Sequence, residues 1–524
     1  MPQTREHLSI VDLLGVSRGA VALTKIDRVA PERVAEVRAA IPSLLENTRF
    51  AGAPLFPLSS VTGSGIAALL AHLEDQATHA AARKSGAHFR LAVDRCFSVA
   101  GAGLVVTGTA LSGEVAVGDE VKVLLAESAA RVRSIHAHNR PVERASAGQR
   151  LALNLAGLEP KARVARGDWI VRGELPPPVL RFDARLSSTE PIRHWTPVHV
   201  HLGAADVLGR VAHLDDNGLV QIVLEQPMGA VAGDRFILRD TCARRTLGGG
   251  RVIDVFAPRR GRARPHRLAQ LRAMEADDDA EALAALLACS PDGVDLGRFA
   301  VNRNSPERRT GWAFAPAHWQ ALRERIVASI GAWHVRFPDA VGPAADRIVK
   351  GVDAGALQSA LDELAREGRV VREPLGVRLS SHRADMAPAD AALWKKAEPL
   401  LAGARPPTVA ELAAALAEDP KTVEAVLSRA GRRGLVIRVA RNRFFLPPAV
   451  ARLETIAQAL ADEGMPITAA AFRDRAGIGR NLSIEVLEYF DRIRFTRRVG
   501  DTHVLRNPQG RESHPGGARG LQIR

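Results

Sequence analysis

A TKID motif at residues 24–27 carries side chains suited to bind a purine base. The carboxylate of Asp27 can accept two N–H donors from the edge of guanine, and the aliphatic stem of Lys25 can cover the face of the ring. Adenine lacks that pair of donors, so a single carboxylate at this position separates the two purines. Thr24 is expected to hydrogen-bond a neighbouring loop.

A second loop lies in the segment PLSSVTGSGI, where Ser59 and Ser60 follow an apolar strand-like run. Backbone N–H groups in such a turn can point at the carbonyl oxygen of guanine. A TKxD motif alone also fits an ordinary strand, polar turn and helix start, but a second loop at suitable spacing favours the guanine interpretation. The two motifs predict a guanine site formed by Thr24, Lys25, Asp27, Ser59 and Ser60.

The segments that must position these loops alternate between helix-like and strand-like patterns over residues 1–85. This alternation predicts the C-terminal part of an α/β GTP-binding domain. In P-loop GTPases the phosphates lie in a G-x-x-x-x-G-K-[ST] cradle upstream of the base-reading loops. No such motif precedes the TKID motif in this sequence. We therefore expect the base-reading half of such a domain without its phosphate-reading half.

The length of 524 residues predicts several domains, and the net charge of +14 favours a polyanionic partner such as nucleic acid. An arginine-rich composition alone would also produce part of this charge. Cys96, Cys242 and Cys289 are scattered without metal-ligand spacing, which favours a reducing compartment and argues against structural zinc. The sequence contains neither an apolar run of about 18 residues nor a signal-peptide pattern. We expect a cytoplasmic protein without membrane attachment.

Short apolar runs separated by glycine-rich turns predict two all-β barrels after the first domain. A proline- and arginine-rich connector follows at residues 257–267. After it comes a repeat of amphipathic helices and strand pairs that predicts tandem winged helices. The predicted fold class is therefore multidomain, with a partial α/β P-loop GTPase domain, two β-barrels and α+β winged-helix domains. The expected boundaries are 1–85 for the partial GTPase domain, 86–175 and 176–257 for the barrels, 258–335 (diverged), 336–384, 385–448 and 449–508 for the winged helices, and 509–524 for a disordered tail.

Several stretches carry a family resemblance that covers essentially the whole chain. They are MPQTREHLSIVDLLG at the start, DRCFSVAGAGLVVTGTALSGEVAVGDEV at 94–121, RFILRDTCARRTLGGGRVID at 235–254 and LEYFDRIRFTRRVGD at 487–501. In this domain order they resemble the bacterial selenocysteine-specific elongation factors of the SelB type, and the two barrels resemble domains 2 and 3 of elongation factor Tu.

The resemblance implies a translation factor that binds GTP, selenocysteyl-tRNA, an mRNA hairpin and the ribosome, and that acts at recoded UGA codons. It also implies a monomer. The phosphate loop, the magnesium ligands and the water-positioning histidine of the family have no counterpart in this sequence, so no catalytic residue or metal ligand is assigned. We expect Met1 to be an internal methionine, with roughly another 90 residues before it in the full protein. The chain as written is not expected to hydrolyse GTP.

The resemblance places Asp94, Arg95 and Arg150 near the aminoacyl end of the bound tRNA. A selenol is an anion at neutral pH whereas serine is neutral, so a selective pocket needs fixed positive charge, which arginine supplies. We expect Arg95 and Arg150 to face the selenolate while Asp94 orients one guanidinium. The alternative is an ordinary ion pair on the rim of a barrel.

The last winged helix is the predicted site for the mRNA hairpin, with Arg480, Asn481, Arg497, Arg498 and His503 as its contact residues. Residues 492–524 hold eight arginines against two acidic residues, so positive charge concentrates at the end of the chain. Binding to RNA phosphates would weaken steeply with salt, and sequence specificity would require a bulged or looped base. A solvated arginine face is the alternative interpretation.

Two positions depart from the family pattern in this domain. Asn481 stands where the family usually has lysine, which removes one charge. Arg494 stands where the family and the internal repeat have glycine, as at Gly368 and Gly434. We expect Arg494 to lie in a turn that requires a positive φ, a conformation that side chains other than glycine adopt at a cost.

Two other functions remain open at this point. One is a truncated module that binds RNA and tRNA without nucleotide turnover. The other is a winged-helix regulator that binds DNA, which would need base-reading side chains along a recognition helix. The regulator leaves the TKID motif and the barrels unexplained.

Overall fold

The computed structural model describes residues 2–79, 87–99, 103–159, 161–307, 309–338, 340–373, 376–383 and 386–506. The chain divides into two compact units, residues 1–315 and 316–524. The predicted disordered tail at 509–524 lies outside the described residues.

The first unit begins with a small α/β segment. Its elements are α1 (Pro2–Leu13), β1 (Val21–Leu23), α2 (Pro31–Leu45), β2 (Leu55–Pro57) and α3 (Ile66–Thr78). Strands β1 and β2 pair in parallel, with Ala22 opposite Phe56. Parallel pairing brings the carboxyl ends of both strands, and the loops that follow them, to the same edge of the sheet.

The first β-barrel is antiparallel and is closed by pairing of the strand over residues 150–156 with the strand over residues 128–137. Its strands are β3 (Phe89–Val99), β4 (Gly103–Ser112), β5 (Glu114–Ala116), β6 (Glu120–Val123), β7 (Ser128–Ala137), β8 (Arg140–Val142), β9 (Arg144–Ser146), β10 (Arg150–Ala156) and β11 (Trp169–Arg172). The sheet order is β10-β4-β3-β11-β6-β7-β8, with the additional β10–β7 pairing. Buried residues alternate with exposed ones along β7, as expected for a strand with one face in the core.

The second β-barrel is a closed ring of six antiparallel strands. They are β12 (Val179–Ser188), β13 (Thr196–Leu202), β14 (Ala205–His213), β15 (Leu219–Met228), β16 (Arg235–Arg239) and β17 (Thr246–Asp254), in the order β12-β15-β14-β13-β16-β17. Helix α1 packs on β16 and β17, and there Glu6 accepts a hydrogen bond of 2.7 Å from Arg239. The prediction of two barrels is confirmed.

A buried ion pair joins the two barrels. Arg90 donates two hydrogen bonds to Asp234, at 2.9 and 2.6 Å, and the Arg90 guanidinium lies 4.3 Å from the centre of the Trp169 ring. Trp169 belongs to the first barrel but is packed in the hydrophobic core of the second. The barrels are therefore held together by a shared apolar contact and a charge-assisted bidentate pair.

The helices that follow the second barrel dock onto it. They are α4 (Pro265–Ala273), α5 (Asp279–Ala288) and α6 (Leu296–Asn302), with the short pair β18 (Val294–Asp295) and β19 (Trp312–Ala313). Leu271 and Met274 share a hydrophobic core with Leu219 and Ile253 of the barrel. The first compact unit ends at residue 315, inside the range 258–335 that the sequence predicted for the diverged winged helix.

The second unit contains three successive modules, each with helices followed by a two-stranded hairpin. The elements are α7 (Pro316–Arg336), α8 (Ala354–Arg366), β20 (Val370–Glu373), β21 (Gly376–Leu379), α9 (Pro388–Leu401), α10 (Val409–Leu416), α11 (Pro420–Arg432), β22 (Ile437–Ala440), β23 (Arg443–Phe445), α12 (Pro447–Asp462), α13 (Ala469–Ala476), α14 (Arg480–Arg492), β24 (Thr496–Val499) and β25 (Thr502–Leu505). Helix α7 packs on α8 and β21, so it belongs to the first of these modules and not to the preceding domain.

Local sequence explains where these helices begin. Thr408 and Glu411 form a reciprocal capping box at the start of α10, and Asp419 caps α11 ahead of a proline at its first turn. The buried residues of α11 include Val423, Val426 and Leu427, which lie on one face of the helix. This spacing packs α11 against α9, and the hairpin β22–β23 follows directly.

Candidate nucleotide and RNA sites

The two predicted guanine loops lie side by side. Thr24 and Lys25 follow β1, Ser59 follows β2, and the N–H of Leu58 donates to the carbonyl of Leu23 at 2.9 Å. Lys25 has φ 63°, and this left-handed backbone starts the single helical turn that contains Asp27. A strained non-glycine residue of this kind is typical of a functional loop.

Four of the five residues predicted to form the guanine site are exposed, and one is buried. Thr24, Lys25, Asp27 and Ser60 are exposed, whereas Ser59 is fully buried. The hydroxyl of Ser59 accepts hydrogen bonds from the N–H groups of the second and third residues after it, at 3.2 and 3.3 Å. Ser59 therefore shapes the loop from inside, and its side chain is not free to contact a base.

Asp94 lies on a β-bulge of the first barrel. The pairing of β3 with β4 shifts between Val93 and Arg95, so Asp94 is the extra residue. Both guanidinium Nη atoms of Arg150 donate to the Asp94 carboxylate, and the hydroxyl of Thr107 donates to the same carboxylate at 2.7 Å. The bulge thus turns one carboxylate toward a neighbouring strand, where it fixes an arginine from β10.

This cluster carries a net positive charge. Burial alone would raise the pKa of Asp94, but the hydrogen bonds from Arg150 and Thr107 outweigh it and hold the pKa below the usual value. Within the described residues the side chain of Arg95 makes neither a hydrogen bond nor an ion pair, and the residue is exposed. One arginine is therefore oriented by Asp94 and a second is free to meet an anion.

The predicted RNA contacts of the last winged helix lie at two exposed places. Arg480 and Asn481 are exposed at the first turn of α14, where the partial positive charge of the helix N-terminus is located. Arg497 and Arg498 are exposed on β24 of the wing. Since successive residues of a strand point to opposite faces, these two arginines do not share one face of the wing.

His503 is placed differently from the other predicted RNA contacts. Its side chain is only 10% exposed, and its Nδ1 lies 2.9 Å from the carboxylate of Asp491. The hydroxyl of Thr496 donates to the same carboxylate at 2.6 Å. The geometry gives His503 a structural role between α14 and the wing.

Arg494 adopts the left-handed backbone that the sequence comparison predicted. Its φ is 61°, and Gly368 and Gly434 at the corresponding turns have φ 71° and 75°. We expect Arg494→Gly to stabilise the last module by up to about 1 kcal/mol, since the cost of the left-handed region exceeds the extra chain entropy of glycine. Urea unfolding would measure the change.

Arg494→Ala is the matched control for this substitution, because it removes the side chain and keeps the strained backbone. The two variants should therefore differ in their free energy of unfolding. Equal stabilities would show that the turn is not strained.

No group of three or more histidine, cysteine, aspartate or glutamate side chains in the described part of the chain could hold a metal ion. Within the same residues, no helix is long and apolar enough to cross a membrane.

Sequence reasoning missed the residues that set these geometries. Thr107 completes the Asp94 cluster from a neighbouring strand, and Asp491 anchors the wing from a helix. Both are common polar residues outside any motif. Only the pairing of β3 with β4 and the packing of α14 on the wing bring them to their partners.

Comparison with protein families divides the chain in the same order as the fold. The elongation factor Tu GTP-binding domain matches residues 1–79, and elongation factor Tu domain 2 matches 103–171. The β-barrel domain of selenocysteine-specific elongation factor matches 179–259, and the winged helix of elongation factor SelB matches 458–505.

Full-length relatives decide the family. The chain is 38% identical to the selenocysteine-specific elongation factor of Escherichia coli (strain K12) over 97% of its own length and 84% of that protein. It belongs to the selenocysteine-specific elongation factor family. The factor of the same name from Haemophilus influenzae is 29% identical over 96% of this chain and 85% of its own.

A solved structure agrees with this family at the level of the fold. The crystal structure of a bacterial selenocysteine-specific elongation factor, EF-Sec, superposes with a TM-score of 0.62 at 21% identity. It covers 97% of this chain and 84% of the other. The predicted order of domains in this chain, a GTPase segment followed by two barrels and tandem winged helices, is confirmed.

Proposed function

We propose that this chain delivers selenocysteyl-tRNA to the ribosome at recoded UGA codons, with GTP bound at the first domain and an mRNA hairpin bound at the last winged helix. The observation that carries the proposal is the Asp94–Arg150 pair with an unpaired Arg95 beside it. Such a cluster suits an anionic aminoacyl group on the tRNA and has no use in binding a neutral one.

The nucleotide contribution of the described residues is limited to the base. Asp27 would accept the two N–H donors of guanine, Lys25 would cover the ring, and Thr24 would support the adjoining loop. We infer no phosphoryl-transfer step from this chain, because that chemistry depends on positioned phosphate and metal ligands.

Selection of selenocysteine over serine follows from charge. Arg95 and Arg150 together offer two positive charges against the one negative charge of Asp94. A selenolate would therefore gain a net attraction that a serine hydroxyl would not, and the carboxylate would hold the exposed Arg150 guanidinium in one orientation. Arginine suits this role because it is more weakly hydrated than lysine and never loses its proton near neutral pH.

We expect Arg150→Gln to lower the preference for selenocysteyl-tRNA over seryl-tRNA by about 10- to 100-fold. This range corresponds to the loss of one hydrogen bond or ion pair to a charged group. Protection of the aminoacyl ester against hydrolysis, measured for both charged tRNAs, would report the two affinities.

Arg131→Gln is the matched control, since Arg131 is an exposed arginine on β7 of the same barrel and has only a 3.5 Å contact to Glu120. The control should leave the preference unchanged. If Arg150→Gln weakened both tRNAs equally, the arginine would act on the tRNA body and not on the selenolate.

Hairpin binding is proposed for the exposed end of α14 and the adjoining wing. Arg480 and Asn481 would meet the RNA at the positive end of the helix, while Arg498 would hold a phosphate on the wing. The family relationship and the exposure of these side chains support the assignment. Action as a monomer is part of the same proposal.

We expect Arg480→Gln to weaken hairpin binding and to reduce the slope of log K against log salt by about one. The reason is the loss of one phosphate contact. Fluorescence anisotropy of a labelled hairpin would give the binding constant at salt concentrations from about 50 to about 200 mM, a range over which such constants change strongly.

Arg475→Gln serves as the control, because Arg475 lies on α13 of the same module and is paired with Glu463. It should leave the slope unchanged. If Arg480→Gln kept the wild-type salt slope, the N-terminus of α14 would not contact the RNA phosphates.

Of the two other functions, the DNA-binding regulator is not supported, since relatives in the selenocysteine-specific elongation factor family match the chain over nearly its whole length. A module that binds RNA and tRNA without turnover differs from the proposed function only in its response to nucleotide. Hairpin and tRNA binding measured with and without GTP would separate them.

A further inference from the structure

An arginine-lined cavity of about 240 Å³ lies on the outside of the second barrel, away from the Asp94 cluster. Its wall combines strands β12, β16 and β17 with the end of α4 and the loop that follows α2. The five arginines that line it are Arg49, Arg185, Arg235, Arg251 and Arg303. Glu275 is the single acidic side chain of the lining.

Three of these arginines are neutralised by acidic residues of the α4–α5 region. Arg185 donates to Glu275 through two hydrogen bonds of 2.6 Å. Arg251 pairs with the carboxylate of Asp277 at 2.6 Å. Arg303 pairs with Asp279 at 2.8 Å and also donates to three backbone carbonyls.

The other two arginines are less fully compensated. Among the described residues the Arg235 side chain makes no hydrogen bond or ion pair. Arg49 pairs with Asp12, whose carboxylate lies 3.8 Å from the guanidinium and accepts the backbone N–H of Arg49 at 2.9 Å. Burial lowers the pKa of Arg235, and the neighbouring charges of Arg251 and Arg49 lower it further, while the carboxylate of Asp277 opposes the decrease. A half-buried guanidinium that lies near two other cations and has no ion-pair partner of its own would be stabilised by a bound anion.

The glycine at position 15 leaves room for the Arg235 guanidinium. Gly15 has φ 76°, and a residue with a side chain there would place its Cβ atom only 3.0 Å from Cζ of Arg235. The turn after α1 therefore backs the guanidinium on one side, and the cavity is open on the other. Arg235 thus lies between the turn after α1 and the cavity that it lines.

We propose that this cavity binds a phosphate-bearing anion through Arg49, Arg235 and Arg251. Guanidinium groups match phosphate oxygens in geometry and charge. The volume equals roughly eight waters at about 30 Å³ each, which suits a ligand with more than one phosphate group. Because Arg49 belongs to the GTPase segment and the others to the barrel, the anion would tie these two parts together.

The test is thermal unfolding of the full chain in pyrophosphate against sodium chloride of the same ionic strength. Wild type should gain several degrees in Tm as pyrophosphate saturates the site. Arg235→Gln should lose that gain, and without anion it should melt at the wild-type temperature or above, since it removes repulsion. Arg49→Gln should reduce the gain.

Arg259→Gln is the control, because Arg259 is an exposed arginine of the connector outside the cavity. Phosphate salts stabilise many proteins by exclusion from their surface, and this general effect should be equal in all variants. An equal gain in wild type, Arg235→Gln and Arg259→Gln would overturn the proposal. So would an Arg235→Gln protein that melts well below wild type without anion.

Isothermal titration with pyrophosphate, repeated with an excess of an unstructured RNA oligonucleotide, identifies the source of the anion. One site per chain, with an affinity that RNA leaves unchanged, supports a small phosphorylated ligand. One site that the RNA displaces supports phosphodiester groups of a bound RNA. Absence of saturable binding in wild type would overturn the proposal.

Discussion

Replacement of Arg267 by alanine is expected to destabilise the first unit by about 3–5 kcal/mol, which would lower its melting temperature by roughly 10 °C. Arg267 lies in the first turn of α4, at the end of the basic connector, yet its guanidinium is buried. One of its nitrogens donates to Asp183 at 2.5 Å and to Asp254 at 2.6 Å. Gln221 donates a further hydrogen bond of 2.9 Å to Asp183.

The size of the effect follows from what the substitution leaves behind. Asp183 is fully buried and Asp254 is 6% exposed, so two carboxylates would face each other without a counter-charge. Burial already raises the pKa of Asp183, while Arg267 opposes that rise. Without the arginine the raised pKa of Asp183 favours its protonation, so the loss of stability should be smaller near pH 4 than at pH 7.

Calorimetric unfolding of the full chain at both pH values would measure this loss. Arg264→Ala is the matched control, because Arg264 is an exposed arginine of the same connector.

Combining Arg267→Met with Asp183→Asn and Asp254→Asn should restore much of the stability, since it removes the buried charges together. A single Arg267→Ala variant with wild-type stability would show that the triad does not support the fold.

The second large effect concerns pH. His334 is buried on α7, its ring stacks on His382 with centroids 3.7 Å apart, and its Nε2 accepts the N–H of Leu379 at 3.2 Å. Burial lowers the pKa of His334 to about 4, and the charges of His382 and Arg378 contribute to the decrease. In the unfolded chain this pKa returns to the ordinary value near 6.5.

The unfolded state therefore binds more protons than the folded state between these two values. Stability from a neutral His334 is fully present above pH 6.5 and is lost as the pH falls toward 4. The expected loss is up to about 3 kcal/mol for the module formed by α7, α8 and the β20–β21 hairpin. Urea unfolding between pH 7 and about 4.5 would follow the decrease over the range in which this histidine titrates.

His334→Gln should flatten this pH dependence, because an amide can still accept the N–H of Leu379 and is not protonated. His318→Gln on the same helix is the control and should retain the wild-type slope. Equal slopes for wild type and His334→Gln would assign the pH dependence to other groups.

Much of the candidate site could be predicted from local sequence. The TKID motif and the serine loop follow strands that lie next to each other, and parallel pairing brings both to one edge of the sheet. The glycine pattern of the repeat predicted the left-handed backbone of Arg494. Such features depend on residues close in sequence, so local periodicity and turn chemistry are sufficient to indicate them.

The sequence by itself therefore determined the order of the domains, the family and the two adjacent loops that we propose contact a guanine base. Tertiary structure alone decided that Arg267 of a basic connector is buried between two aspartates, that the hydroxyl of Ser59 points inward, and that His503 supports the wing. It also placed Arg49 beside Arg235 in one cavity. The reason is that burial and charge pairing depend on contacts between residues far apart in the chain, and the type of a residue does not reveal which partner the fold will bring to it.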